Sequence, residues 1–553
     1  MAVRPQNRRV GWGLCRVFLA VQVVLAGLGA VPLGGQERLQ QLTRLPRFSF
    51  NFGLSYRGTE GFELTVGTPD PARELTALRE ALTGQTDDAP RFVRLGRVLD
   101  GLSEMAMAQR AYARAVELYE RQGAADSREI AVLVGYADAL RGQNQFAAAE
   151  RLLRRAVEVA PEDWQARAAL ARLLGLTAMH ALASLEGKPA GIDWAQLLSD
   201  SAAVRLNAAG VEEAERRLTE AVQEAERAVK FGPQQAEAFL ARANVGTARR
   251  LATALRALTE APEEEPAARI WAVNRAIFHR DALPDVWAAA RLSPHNPQTW
   301  GCAVLLELMA EGLQQGLRGA EALLAENRWS RLPESARVTV REALARLESM
   351  SEGREPAAAA ASLSLLGWFQ GFLLNDLTRG EATLRRALAL DPDHPSAWET
   401  LTALLVVARR MDALVEVCQA RLERAESPHH RLMLVKAYEK AQQVPAMRRE
   451  AEEAQARYPE HFLANLTLAA ALLKTGEEAA RARAVQFLAK ATQLAGENPP
   501  RDVAFELWFQ RGLYFALSGQ RAVARTHFRQ LLEAGADPEE VREALQALDQ
   551  LGD

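Results

Sequence analysis

The 553-residue chain has few of the residues that mark disulfide-bonded, metal-bound or strongly charged proteins. Its three cysteines, Cys15, Cys302 and Cys418, lie far apart and form no CxxC pair, so neither a zinc site nor a disulfide framework is expected. We expect Cys302 and Cys418 to be buried as small apolar residues. The net charge of −3 provides no global basic field, and we therefore expect no nucleic-acid ligand.

Motifs for catalysis are also missing. The eight histidines form neither an HExxH motif nor a Cys/His cluster, and the chain contains no GxSxG elbow and no Walker A loop. We therefore predict no catalytic residue, no metal ion and no cofactor, and we predict that the protein is not an enzyme.

The N-terminus is basic and then apolar. Arg4, Arg8, Arg9 and Arg16 precede an uncharged stretch over residues 17–35 that contains several small residues. This order resembles a secretory signal peptide, and an uncleaved signal anchor or an Arg-rich transit peptide are the alternatives. A signal peptide or a signal anchor over residues 1–35 would place the rest of the chain outside the cytoplasm, in the periplasm or held at the inner membrane.

Residues 36–70 predict a linker and a β-hairpin. Apolar residues alternate over 48–56, beginning with Phe48, Phe50 and Phe52, and alternate again over 62–66. A two-stranded ribbon is marginally stable alone, so we expect the hairpin to dock on the first helices. The alternative is that it offers an edge to a partner strand.

From residue 71 onward the pattern is helical and repetitive. One spacing of large and small residues recurs around Phe92, Leu133 and Trp508, and prolines at 161, 233, 294, 392 and 459 follow further copies. The spacing resembles the tetratricopeptide repeat, which implies an all-α solenoid of antiparallel helix pairs. Counting two, two, three and two repeats between those prolines gives about 33 residues per repeat, close to that family's period. The expected repeat-core residues are Phe92, Gly96, Tyr112, Ala137, Ala149, Trp300, Trp398, Trp508, Gly512, Ala524 and Phe528.

The repeats are not uniform along the chain. We predict an N-terminal array over 71–262 with an insertion near 181–210, degenerate repeats over 263–350, a C-terminal array over 351–535 and a capping helix over 536–553.

The resemblance implies that a protein or peptide partner lies on the concave face, which the first helix of each repeat lines. Residues one, five and nine positions after the residue that opens a repeat share a stripe on that helix. The candidate groove residues from the C-terminal repeats are Phe509, Leu513, Leu517, Leu466, Lys436 and Lys440. The alternative is that the apolar stripe packs against a neighbouring helix. These repeats lack the Lys, Arg and Asn set with which some family members hold a chaperone's carboxylate tail.

The leading hypothesis is a non-catalytic interaction scaffold of the cell envelope, whose protein partner the sequence does not identify. The alternative is an anchored accessory subunit of an envelope assembly or export machine, and an enzyme with an unrecognised site is the remote third.

Overall fold

The computed structural model describes residues 56–57, 61–62, 87–101, 105–183, 208–260, 272, 275–314, 329, 332–352, 355–496, 501–533 and 538–550. The predicted leader, residues 1–35, lies outside them. The described residues fall into two compact units, one ending at Ala397 and the other beginning at Trp398. The predicted divisions near 262 and 350 stay predictions.

The first unit is built from pairs of helices that follow one another along the chain. Its helices are α1 Ala89–Gly101, α2 Met105–Arg121, α3 Ile130–Gly142, α4 Phe146–Val159, α5 Trp164–Ala183, α6 Ala208–Phe231, α7 Ala236–Glu260, α8 Leu283–Leu292, α9 Pro297–Gln314, α10 Glu334–Ser349, α11 Pro356–Trp368 and α12 Leu377–Leu390. A π-helical turn over Phe369–Leu373 extends α11. The insertion predicted near 181–210 falls between α5 and α6, largely outside the described residues.

The second unit continues the same pattern. Its helices are α13 Pro395–Val407, of which all but the first three residues belong to this unit, α14 Met411–Arg424, α15 Pro428–Lys440, α16 Val444–Arg457, α17 Phe462–Lys474, α18 Glu478–Ala495, α19 Arg501–Leu517, α20 Arg521–Glu533 and α21 Pro538–Gln550. The last helix, α21, lies where the capping helix was predicted, and its Val541, Ala544 and Leu548 are buried in the core of the unit. The prediction of an all-α helical-repeat fold is confirmed.

A small β-ladder precedes the helices. Strands β1 Tyr56–Arg57 and β2 Gly61–Phe62 pair antiparallel, with Tyr56 opposite Phe62. The remaining parts of the predicted strands, 48–55 and 63–66, lie outside the described residues. The longer hairpin predicted from the alternating apolar residues is therefore not supported.

Small residues at the predicted positions allow the helices of a pair to approach. A Cβ atom added at Gly96 of α1 would lie 2.6 Å from the ring of Tyr112 on α2, and one added at Gly512 would lie 2.7 Å from Phe528. Such distances are well inside van der Waals contact, so an aromatic ring fills the space that the glycine leaves. The repeat spacing in the sequence thus corresponds to a packing requirement.

Ion pairs show the direction in which the helices stack. Arg167 of α5 pairs with Glu224 of α6, while Arg217 of α6 donates to Thr177 of α5, so these two helices are antiparallel. Arg217 also reaches Glu150 of α4 at 2.8 Å, which joins the second helices of neighbouring pairs.

The structure describes only part of each interval between the prolines. Among the described residues, only the pair α5 and α6 lies between Pro161 and Pro233, and only α7 and α8 lie between Pro233 and Pro294. Two repeats were expected in each interval. Helices α5, α6 and α7 are 20, 24 and 25 residues long, so long helices account for part of each interval. Residues 184–207 and 261–271 of these intervals lie outside the described residues, so the count of two repeats in each interval stays a prediction.

Candidate functional site

The first helices of three successive pairs, α1, α3 and α5, bring charged side chains together. Arg97 and Asp138 lie five positions after Phe92 and Leu133, which open their repeats. Arg172 lies on α5, and Arg141 lies one turn after Asp138 on α3. Because α1 packs beside α3 and α3 beside α5, equivalent positions on these helices are neighbours in space. We call these four residues the charged row.

The one acidic member of the charged row is held by two arginines. Arg97 forms an ion pair with Asp138, and Arg141 Nε lies 3.5 Å from the other carboxylate oxygen of Asp138. The Asp138 side chain is only 8% exposed, whereas the Arg97 side chain is 47% exposed. The Arg141 side chain is 12% exposed, so of these three residues only Arg97 has a substantially exposed side chain.

The charged row carries excess positive charge. Burial lowers the pKa of Arg97, and repulsion from Arg172 and Arg141 lowers it further, while attraction to Glu237 opposes the shift. Three guanidinium groups thus face the carboxylates of Asp138 and Glu237. An additional anion would relieve the repulsion among the arginines.

Packed side chains support the charged row. Tyr119 stacks on Tyr136 of α3 with ring centroids 5.3 Å apart, and burial raises the pKa of Tyr119 to about 12. Val93 and Val134, four positions before Arg97 and Asp138, are buried in the same core. The charged side chains therefore project from a closely packed base, which is the condition for a preorganised site.

The sequence stripe could have identified part of this row. The residue five positions after the one that opens a repeat belongs to this stripe. Counting five positions from Phe92 and from Leu133 leads to Arg97 and Asp138. The convergence of their charges depends on the stacking of helices more than thirty residues apart in sequence.

The predicted C-terminal groove is not an open surface. Phe509, Leu513, Leu517 and Leu466 are all buried in the core of the second unit. The ring of Phe509 lies 5.6 Å from the ring of Phe528, between α19 and α20. This corrects the assignment of those four residues to a partner groove, since they pack within the chain, as the alternative stated.

The two lysines of the predicted groove remain on the surface of α15. Lys440 is exposed and Lys436 is half-buried. Between them Glu439 accepts from Lys474 of α17 at 2.7 Å, and both of these side chains are largely buried. This pair joins two first helices, α15 and α17, beside the two lysines.

Most predicted repeat-core residues are buried, with three exceptions. Phe92 and Trp398 are half-buried. The guanidinium carbon of Arg421 lies 5.6 Å from the centroid of the Trp398 ring. Trp508 is 40% exposed, which corrects its assignment to the core. Phe509 occupies the inward position on α19, and successive helical residues point about 100° apart, so Trp508 faces outward.

Neither described cysteine has the chemistry of a nucleophile. Cys418 is buried and Cys302 half-buried, and burial raises the pKa of both thiols to about 12. Among the described residues, no three His, Cys, Asp or Glu side chains are grouped as a metal ion would require. The helices within those same ranges include none that is long and apolar enough to cross a bilayer, and the predicted anchor at 17–35 lies outside them.

Comparisons with known proteins bear on the repeats. The family model for the tetratricopeptide repeat matches residues 92–162, which contain Arg97, Asp138 and Arg141. No protein in the curated collection matches the chain.

Several solved structures resemble the chain at low sequence identity. Yeast Tom70 is 14% identical with a TM-score of 0.33, covering 86% of this chain and 91% of that one. A tetratricopeptide repeat protein from Parabacteroides merdae is 14% identical with a TM-score of 0.31, covering 55% and 98%. A monomeric mutant of IFIT1 with Gppp-AAAA is 12% identical with a TM-score of 0.32, covering 94% and 90%.

Proposed function

We propose that this chain is a tetratricopeptide-repeat protein and a non-catalytic scaffold that binds an acidic segment of a protein partner through the charged row of its first unit. The family model that matches residues 92–162 supports the repeat assignment. The observation that carries the proposal is the group of three arginines, Arg97, Arg141 and Arg172, on neighbouring first helices. Helical-repeat proteins bind partners along the surface that such helices line.

The charges favour an acidic partner. Asp138 already forms ion pairs with two guanidinium groups, so it adds little attraction for a cationic ligand. A carboxylate placed between Arg97 and Arg172 would gain charge-assisted hydrogen bonds and reduce the repulsion between them.

The cell envelope is the proposed location. The basic residues from Arg4 to Arg16 and the uncharged stretch over 17–35 support it, because this order directs export. Deleting residues 1–35 should leave the chain in the cytoplasm, as measured by cell fractionation. Equal cytoplasmic recovery of the full-length and truncated chains would contradict export, and sequencing the mature N-terminus would distinguish a cleaved peptide from an anchor.

The binding proposal is tested with Arg97→Gln. This variant removes one exposed guanidinium, while Arg141 continues to pair with Asp138. Partners are identified by crosslinking and pulldown from native membranes with the wild-type chain, and their affinity is then measured with purified proteins. We expect about a tenfold loss, or about 1.4 kcal/mol, as for one charge-assisted hydrogen bond.

The matched control is Arg386→Gln, which removes an exposed arginine of α12 away from the charged row. It should leave the affinity unchanged, and circular dichroism should show that both variants are folded. Equal affinity of the Arg97→Gln variant and the wild type would refute the assignment of the partner to this row.

A further inference from the structure

Several helices of the array begin with a side chain that caps the helix. The carboxylate of Asp163 accepts a hydrogen bond from the backbone N–H of Ala166, the third residue of α5, at 2.8 Å. Asp376 accepts from Arg379 in α12 at 3.0 Å, and Ser427 serves α15 in the same way. Each cap satisfies a backbone N–H that has no partner within its own helix.

A histidine has this role at the start of α13. His394 Nδ1 accepts from the backbone N–H of Ala397 at 3.2 Å, and both residues are buried. His394 lies two positions after Pro392, as Asp163 lies two positions after Pro161, so the two caps occupy equivalent positions. At the start of α13 an imidazole therefore takes the place of the carboxylate that caps α5.

The cap of α13 requires a neutral imidazole. A neutral ring offers the lone pair of Nδ1, whereas a protonated ring carries a hydrogen on both nitrogens and has no acceptor for the N–H of Ala397. The cation would also lie at the N-terminus of a helix, where the macrodipole disfavours positive charge. A carboxylate such as that of Asp163 stays an acceptor down to about pH 4. Protonation of His394 thus removes a cap that the aspartate of α5 would keep.

The charged groups around the cap do not replace the lost acceptor. Asp391 accepts from the backbone N–H of Asp393 at 3.2 Å and is thereby engaged within the turn, while Asp393 is exposed. Near the end of α12, Arg386 is exposed. In α13, burial raises the pKa of Glu399, and attraction to Arg421 opposes that shift. Attraction to the two aspartates would offset part of the cost of an imidazolium in this turn.

We propose that His394 is a pH-sensitive cap whose protonation opens the first turn of α13 on acidification. The closed turn holds the neutral ring, and in the open turn the ring meets water, where an ordinary histidine takes up a proton near pH 6.5. The stability that the cap contributes is therefore present above about pH 6.5 and is lost as the pH falls below it. By this linkage the ratio of open to closed turns rises at most about tenfold from neutral pH to pH 5.5. The device does not depend on binding at the charged row.

Hydrogen exchange of the full-length chain, followed by mass spectrometry, measures this opening. The observed rates are divided by the intrinsic exchange rates at each pH, which gives protection factors. The amides of residues 395–401 should lose about five- to tenfold in protection between about pH 7.5 and pH 5.5. The start of α5 is the internal reference in the same unit, because its cap is the carboxylate of Asp163. Its protection should stay constant over this range.

Two variants and one control assign the effect to the imidazole. His394→Asn and His394→Asp keep an acceptor at the cap but do not titrate in this range, so protection in α13 should be equal at both pH values. The matched control is His461→Asn, because His461 lies two positions after Pro459 at the start of α17 and its side chain forms no cap hydrogen bond. It should leave the pH dependence of α13 unchanged. Circular dichroism shows that each variant is folded.

Three results would overturn the proposal. They are a change of less than about twofold in the protection of α13 in the wild type, an equal loss of protection in a folded His394→Asn or His394→Asp variant, and an equal loss at the start of α5. The last result would mean that acid opens the unit generally.

Discussion

Replacement of Phe509 by alanine tests whether this residue is part of the core or of an open slot. Its side chain is 6% exposed and packs on Phe528, which is fully buried. Truncating a buried phenylalanine typically costs 3–5 kcal/mol, of which about 1 kcal/mol comes from the aromatic pair. Because the pair lies in the last repeat, we expect about 3–4 kcal/mol of local destabilisation, confined mainly to α19, α20 and α21.

Hydrogen exchange is the appropriate assay, because repeat arrays open locally and one melting temperature does not describe them. A change of 3–4 kcal/mol lowers the amide protection factors by about two to three orders of magnitude. The loss should appear in the amides of Arg501–Leu517 and Arg521–Glu533. Val485→Ala on α18 is the control, since Val485 is 40% exposed and its truncation should change stability by less than about 0.5 kcal/mol. Unchanged protection in Phe509→Ala, together with lost partner binding, would refute the assignment of this residue to the core.

Two further predictions concern stability. Gly96→Ala should lower the free energy of unfolding of the first unit by about 1–3 kcal/mol, because the added Cβ would lie 2.6 Å from the ring of Tyr112. Urea titration measures this change, and an unchanged midpoint of unfolding would contradict the packing. Burial lowers the pKa of His279 from 6.5 to about 4, so the unfolded chain takes up this proton first as pH falls. The free energy of unfolding should therefore decrease by up to about 3 kcal/mol between pH 6.5 and pH 4. The decrease should be smaller in His279→Gln. Equal decreases in the variant and the wild type would exclude His279 as the cause.

The repeat architecture could be predicted from the sequence because it depends on local spacing. Gly96 and Tyr112 are sixteen residues apart, and the helical period alone places them on facing sides of one helix pair. Proline positions predicted several helix ends, such as that of α4 before Pro161. The number of repeats between the prolines stays a prediction, because residues 184–207 and 261–271 lie outside the described residues.

The position of the candidate site depended on tertiary structure. The periodicity of a helix determines which residues share one of its faces. It does not determine whether that face is covered by another part of the chain. Phe509 and Arg97 belong to equivalent helices, and packing against Phe528 buries the first while the second stays half exposed. Sequence by itself determined the helical-repeat fold through short-range periodicity. Only the stacking of successive pairs decided that Arg97, Asp138 and Arg172 converge, because their spacing is set by contacts between helices distant in sequence.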